Sequence, residues 1–145
     1  MNTTIIVIQI ISAIMGSIGF AMVFNLKRDK FPYIVIGSFI SISLDIVILY
    51  LTKNTFVSCL VAAFVSMTLA EIYARWRKAP ATLFIIIHII PLVPGGSLYY
   101  AMRGVVNDNF LVFREHATDT VLAAVGIALG IISVTAIKHL LFKRE

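Results

Sequence analysis

Five apolar stretches, each about the length needed to cross a bilayer, take up nearly the whole chain. They run from about residue 4 to 26, 32 to 51, 55 to 73, 80 to 102 and 118 to 142. As helices they reach roughly 30 Å or a little more. Helix is the expected conformation because period-2 alternation is absent and lipid leaves no backbone group unpaired. The expected fold class is therefore an all-α integral membrane protein, a single multi-pass domain over residues 1–145 with five transmembrane helices. Only 13% of the 145 residues are charged, about half the share of a soluble domain. That leaves no room for a soluble catalytic domain. The first stretch lacks a positive n-region and an A-x-A cleavage site, and reads as a retained span. The single cysteine, Cys59, lies inside an apolar run; it forms no disulfide or zinc site within the chain and is expected to be buried and inert.

Net charge is +5, yet nucleic acid is not the expected partner, because the basic residues cluster at the ends of the apolar stretches. Lys27, Arg28 and Lys30 follow the first. Arg75, Arg77 and Lys78 follow the third, and Lys138, Lys143 and Arg144 end the fifth. Lys53, Arg103 and Arg114 lie on the other side. Nine against three puts the first set in the cytoplasm. The amino terminus is then outside and the carboxyl terminus inside, provided the fourth stretch crosses once.

That stretch contains PLVPGG, residues 91–96, within a run from Ala79 to Met102 without a charge. Pro91 and Pro94 each remove a backbone donor. Gly95 and Gly96 admit left-handed or extended conformations. The helix is expected to stop near Ile90 and a second to start near Ser97, with Ser97 as cap or first residue. Counted from the cytoplasmic end, the break is roughly 15 Å deep, near the midplane. The new half-helix would direct its positive amino end into the membrane, where free N–H groups can hold a carboxylate. A packed proline kink is the alternative; two prolines and two glycines exceed what a kink needs.

Other polar residues are sparse. Asp45 lies about two turns inside the second stretch, where an acid is a proton-carrier candidate or pairs with a cation such as Arg103. A carboxyl group solvated at the outer interface is the competing reading. Glu71 is four residues from Arg75, an ordinary helical ion-pair spacing. His88, three residues before the break, is a second proton-coupling candidate. The plainer expectation is a neutral ring bonded to a carbonyl that the break sets free. Tyr99 and Tyr100 follow the break; one of them is expected to reach a ligand and the other to anchor at the outer interface. Gly126 and Gly130 form a GxxxG extended by Ala123 and Ser133, and Ser12, Gly16 and Gly19 form a similar stripe; both read as helix-contact faces. No nucleophile–base pair, metal-ligand cluster or phosphate loop is visible, so neither an enzyme nor a cofactor is expected.

Two segments carry a resemblance. "GFAMVFN", Gly19 to Asn25, closes the first stretch. Arg75, then Pro80 and Ala81, then "IPLVPGGSLYYAM" from Ile90 to Met102 form the second. Together with chain length and five spans, they resemble the threonine/serine exporter (ThrE) family, specifically its small YjjB-like membrane subunit. The resemblance implies export of threonine and serine by the proton motive force, and pairing with a larger YjjP-like subunit. One pair in the family is associated with succinate instead. Asn25, Arg75, Pro91, Pro94, Gly95 and Tyr99 fall on the motifs. The chain departs from the pattern in its second span, which reads "SISLD" where family members carry a histidine and an arginine. The expected function is a transporter subunit in a bacterial plasma membrane, taking a small carboxylate-bearing substrate at Pro91, Pro94, Gly95, Gly96, Ser97 and Tyr99. It would work with the larger subunit or as a homo-oligomer. A non-transporting assembly or stabilising subunit is the alternative.

Overall fold

The computed structural model describes residues 3–78 and 80–142. Helices α1 (Thr3–Val23), α2 (Phe31–Thr52), α3 (Thr55–Trp76), α4 (Ala81–Ile89), α5 (Gly95–Val106) and α6 (Phe110–Phe142) follow one another, with 3-10 turns at Arg28–Lys30 and Ile90–Leu92. No strand occurs among the described residues. Helices α1, α2, α3 and α6 are each long and apolar enough to cross a membrane. The α4 and α5 segments are long and apolar enough together, but they are bent by 49° at the break, so the described residues hold four spans, or five where that pair crosses as one. The chain is an all-α membrane protein whose fourth apolar stretch is broken at PLVPGG.

Short polar residues set where the helices stop. Asn25 adopts φ 51°, and the amides of Asn25 and Leu26 bond back to Met22 and Ala21 at 2.9 and 3.0 Å. This is a Schellman closure, sealed by contact between buried Ala21 and Leu26. Asp108, also at φ 51°, closes α5 in the same way, with Asn109 N–H bonding the Gly104 carbonyl at 2.8 Å. Lys53 in the left-handed region ends α2. Asn54 then caps α3, its side chain accepting from the amides of Phe56 and Val57.

Helix α3 is the centre of the bundle and packs against α2, α4 and α6. Its buried positions are mostly small: Ser58, Cys59, Ala62, Ala63, Ser66, Ala70 and Ala74. Without a hydrophobic drive between helices in lipid, close backbone approach supplies the packing. On α6, Gly126 and Gly130 meet the α3 backbone directly. A Cβ at either would lie 2.7 Å from the Phe56 or Leu60 carbonyl oxygen. Ala123 is buried beside them, but Ser133 is exposed and turns back to the Leu129 carbonyl; the buried residue at that level is Val134. The α1 stripe differs as well. A Cβ at Gly16 or Gly19 would meet nothing within 4 Å, so these glycines do not hold a neighbouring helix.

The expected inner basic groups share one end of the bundle. Arg77 binds Asp29 at 2.8 Å, joining the α1–α2 and α3–α4 connections. Lys138 near the end of α6 grips Glu71 of α3 at 2.7 and 2.8 Å, so Glu71 has a partner from another helix beyond its local neighbours. Lys143 and Arg144 lie outside the described residues. The fifth span begins earlier than expected, at Phe110 rather than residue 118. Its 33 residues make a rod of about 50 Å, longer than a bilayer core. The charged stretch "FREH" stays helical because α5 packs antiparallel against it, with Gly104 pressed onto the Phe113 backbone.

Candidate functional site

The break is built from backbone chemistry that can be followed bond by bond. Pro91 has no N–H, so the carbonyl of Ile87 loses its helical donor. The buried Ser17 hydroxyl of α1 donates to it at 3.3 Å. The chain then makes one 3-10 turn, closed by Val93 N–H to the Ile90 carbonyl at 3.2 Å. Pro94 sits at φ −76°, ψ 54°, and Gly95 N–H bonds the Val93 carbonyl at 2.7 Å, an inverse γ-turn. Helix α5 follows at once, with Leu98 N–H on the Pro94 carbonyl at 3.0 Å. At the first turn of α5 this leaves the amides of Gly96 and Ser97 without helical acceptors.

Two expectations change here. Gly95 and Gly96 are helical, not left-handed, and α5 starts at Gly95 rather than near Ser97. Two prolines and a γ-turn redirect the chain at negative φ throughout. What the glycines contribute is room, since a Cβ at either would meet nothing within 4 Å.

That room opens on a cleft of about 910 Å³. The break forms one wall through Pro91, Pro94, Gly96 and Ser97. Helix α1 adds Gln9, Ser12 and Gly16, and α2 adds Asp45 and Lys53. Cys59 of α3 and Asp119 of α6 complete it. The cleft therefore gathers two carboxylates, one ammonium and the amino end of a half-helix. Asp45 is half-buried and accepts from the Cys59 thiol at 3.7 Å. The cation sharing its cleft is Lys53, which also lies over the Tyr50 ring at 4.6 Å. Arg103 lies instead at the α5–α6 corner with Tyr100 and Asn107.

Other candidates fall elsewhere. Gly95 adjoins the cleft wall without lining it. Tyr99 is exposed, its ring edge on Tyr100, which in turn stacks on His116 at 5.2 Å. Asn25 is the left-handed closure of α1, which gives the motif asparagine a local structural role. Arg75 lies in the last turn of α3 beside Ile72 and Trp76. That is 20 residues from Thr55 at the cleft end of α3, or about 30 Å along the helix.

His88 is fully buried and sealed from the cleft, between Tyr73 and Phe84 with its ring against Gly37. It was expected to bond a carbonyl set free by the break, but Ser17 takes that carbonyl. The ring instead faces the backbone of Ser66 and Tyr33, with neither contact reaching full hydrogen-bond geometry.

Sequence reasoning missed Asp119, Lys53, Gln9 and Ser17. Asp119 carried a usable signal, an acid one residue inside the fifth apolar run. Ser17 carried none, because its role depends on which carbonyl faces it.

No solved structure matches the chain. The family model described as "Threonine/Serine exporter, ThrE" matches residues 9–137. With that match over most of its length, the chain belongs to the threonine/serine exporter family.

Proposed function

We infer that the chain is the small, YjjB-like membrane subunit of an exporter of threonine and serine in a bacterial plasma membrane. It works with a larger YjjP-like subunit and is driven by the proton motive force, with its amino terminus outside and its carboxyl terminus in the cytoplasm. One observation carries this reading: the break from Pro91 to Ser97 forms a wall of the 910 Å³ cleft that also holds Asp45, Asp119 and Lys53. A small amino acid carries one carboxylate and one ammonium. The amides of Gly96 and Ser97, at the positive end of α5, suit the carboxylate; Asp45 or Asp119 suits the ammonium. Two acids against one cation make the cleft a poorer place for a dicarboxylate such as succinate, because like charges repel in a weakly screened site.

Gly96→Leu tests this directly. The position is helical and open, so the larger side chain fills the cleft without straining the backbone. The variant, expressed at the parental level with the larger subunit, is expected to insert normally and lose at least tenfold in threonine and serine export. Export at the parental rate would rule the cleft out as the substrate site.

A further inference from the structure

We propose that Gln9 and Ser12, one turn apart on α1, read the side-chain hydroxyl of the substrate and so select β-hydroxy amino acids over their alkyl counterparts. This rests on the exporter reading and deepens it, by assigning the part of the substrate that sets threonine apart from its alkyl analogue.

Glutamine is out of place in this helix. Helix α1 carries no charge over Thr3–Val23, and Ile5, Ile11 and Met15 are exposed along it, so most of its surface suits lipid. A side-chain amide turned to lipid would be left without hydrogen-bond partners, which is costly. Polar side chains inside a span therefore face a cavity or another protein group. Gln9 faces a cavity. With Ile8, Ser12, Ala13 and Gly16, spaced for a single helical face, it lines the cleft.

Ser12 supplies the second observation. Hydroxyls in this bundle commonly turn back on their own helix. Those of Ser41, Ser66, Thr68 and Thr120 lie 2.6 to 2.8 Å from the carbonyl four residues before them. Ser41 and Ser66 also meet each other at 2.6 Å between α2 and α3. Ser12 does neither. Among the described residues, neither its hydroxyl nor the Gln9 side-chain amide bonds a protein group. Two unengaged polar groups, one turn apart, thus face the same cleft.

The register sets them beside the groups that suit the rest of an amino acid. Ser17 bonds the Ile87 carbonyl, and Ala21 packs in one cluster with Phe84, so α1 and α4 run in opposite directions. From Ser17 back to Ser12 is about 8 Å along α1, which brings Ser12 about level with Leu92. Gln9, one turn further, is about level with the amino end of α5. Leu92 in turn packs in one cluster with Cys59, whose thiol donates to Asp45. A substrate with its carboxylate on the Gly96 and Ser97 amides and its ammonium on Asp45 turns its side chain toward α1. There the substrate hydroxyl donates to the Gln9 amide oxygen and accepts from the Ser12 hydroxyl. An alkyl side chain would shut both groups off from water and return no bond. A sealed site built this way rejects the analogue roughly ten-thousandfold; an open cleft lets water repair part of the loss, so the preference expected is about tenfold.

The test uses the full chain in liposomes, alone and with any larger subunit that co-purifies. Export is measured for threonine and for 2-aminobutyrate, the same molecule with hydrogen in place of the hydroxyl, at equal subsaturating concentrations. The parental protein is expected to favour threonine about tenfold. Gln9→Leu with Ser12→Ala should bring the two rates within about threefold by slowing threonine, while 2-aminobutyrate stays within about twofold of its parental rate. Ser12→Thr, which keeps a hydroxyl, should retain the preference. A packing defect, or loss of a larger subunit seated on this face of α1, would slow both amino acids equally, and that result overturns the proposal. So does a preference unchanged in the double variant, or parental protein that exports the two at equal rates. Parental protein that exports neither overturns the exporter reading and this proposal with it.

Discussion

Replacing Ser17 with alanine removes a single hydroxyl, and the structure fixes what that hydroxyl is for. It donates to the Ile87 carbonyl at 3.3 Å, and both residues are fully buried. Pro91 deprives that carbonyl of its helical donor, so Ser17→Ala leaves an acceptor with no partner. An orphaned buried acceptor costs about 1–3 kcal/mol. Hydrogen bonds between membrane helices average near 0.6 and reach about 1.7 kcal/mol, and a 3.3 Å bond is a long one. The expected loss is therefore about 1 kcal/mol, roughly a fivefold shift toward the unfolded state. A double-mutant cycle isolates the cause. Pro91→Ala restores an N–H in position to bond the Ile87 carbonyl. In that background Ser17→Ala should cost close to nothing. Unfolding equilibria in bicelles, followed by steric trapping, read all four corners. An equal cost for Ser17→Ala in both backgrounds would refute the link between Ser17 and the broken helix.

Two other outcomes follow from the packing and the charge pattern. Gly130→Val should destabilise the bundle by about 1–3 kcal/mol, because even a Cβ there lies 2.7 Å from the Leu60 carbonyl oxygen; Gly19→Ala, facing open space, should stay within about 0.5 kcal/mol, and equal losses in the same unfolding assay would dismiss α6–α3 contact as the reason. In a Cys59→Ala background, cysteine at Arg28 should react with an impermeant thiol reagent only from the cytoplasm and cysteine at Asp108 only from outside; the reverse pattern would invert the topology.

Much of the fold was legible because lipid imposes hard limits. Segment length and the absence of charge gave the spans, and the prolines marked the break. What failed was the reading of particular residues. Gly95 and Gly96 look like turn glycines beside Pro94, but the turn is complete before them and they open a helix. The charged "FREH" stretch looks like a loop; only contact with α5 keeps it helical, and contact is not written in local sequence. Asp45 could be singled out because an acid among apolar residues is conspicuous. Asp119 was passed over because it stands at the edge of a run, where acids are ordinary. The Ser41–Ser66 pair was invisible, since serines are common in membrane helices and their pairing depends on how α2 meets α3.

The central claim is that the break between α4 and α5 faces an open cleft that receives the substrate. The most direct measurement is the reactivity of Ser97→Cys in the Cys59→Ala background. Ser97 is partly exposed on the cleft wall. The account predicts that a membrane-impermeant thiol reagent added from outside modifies this cysteine, and that threonine or serine slows the reaction at least fivefold. A cysteine at position 97 that does not react, or that reacts at the same rate with and without either amino acid, would contradict it.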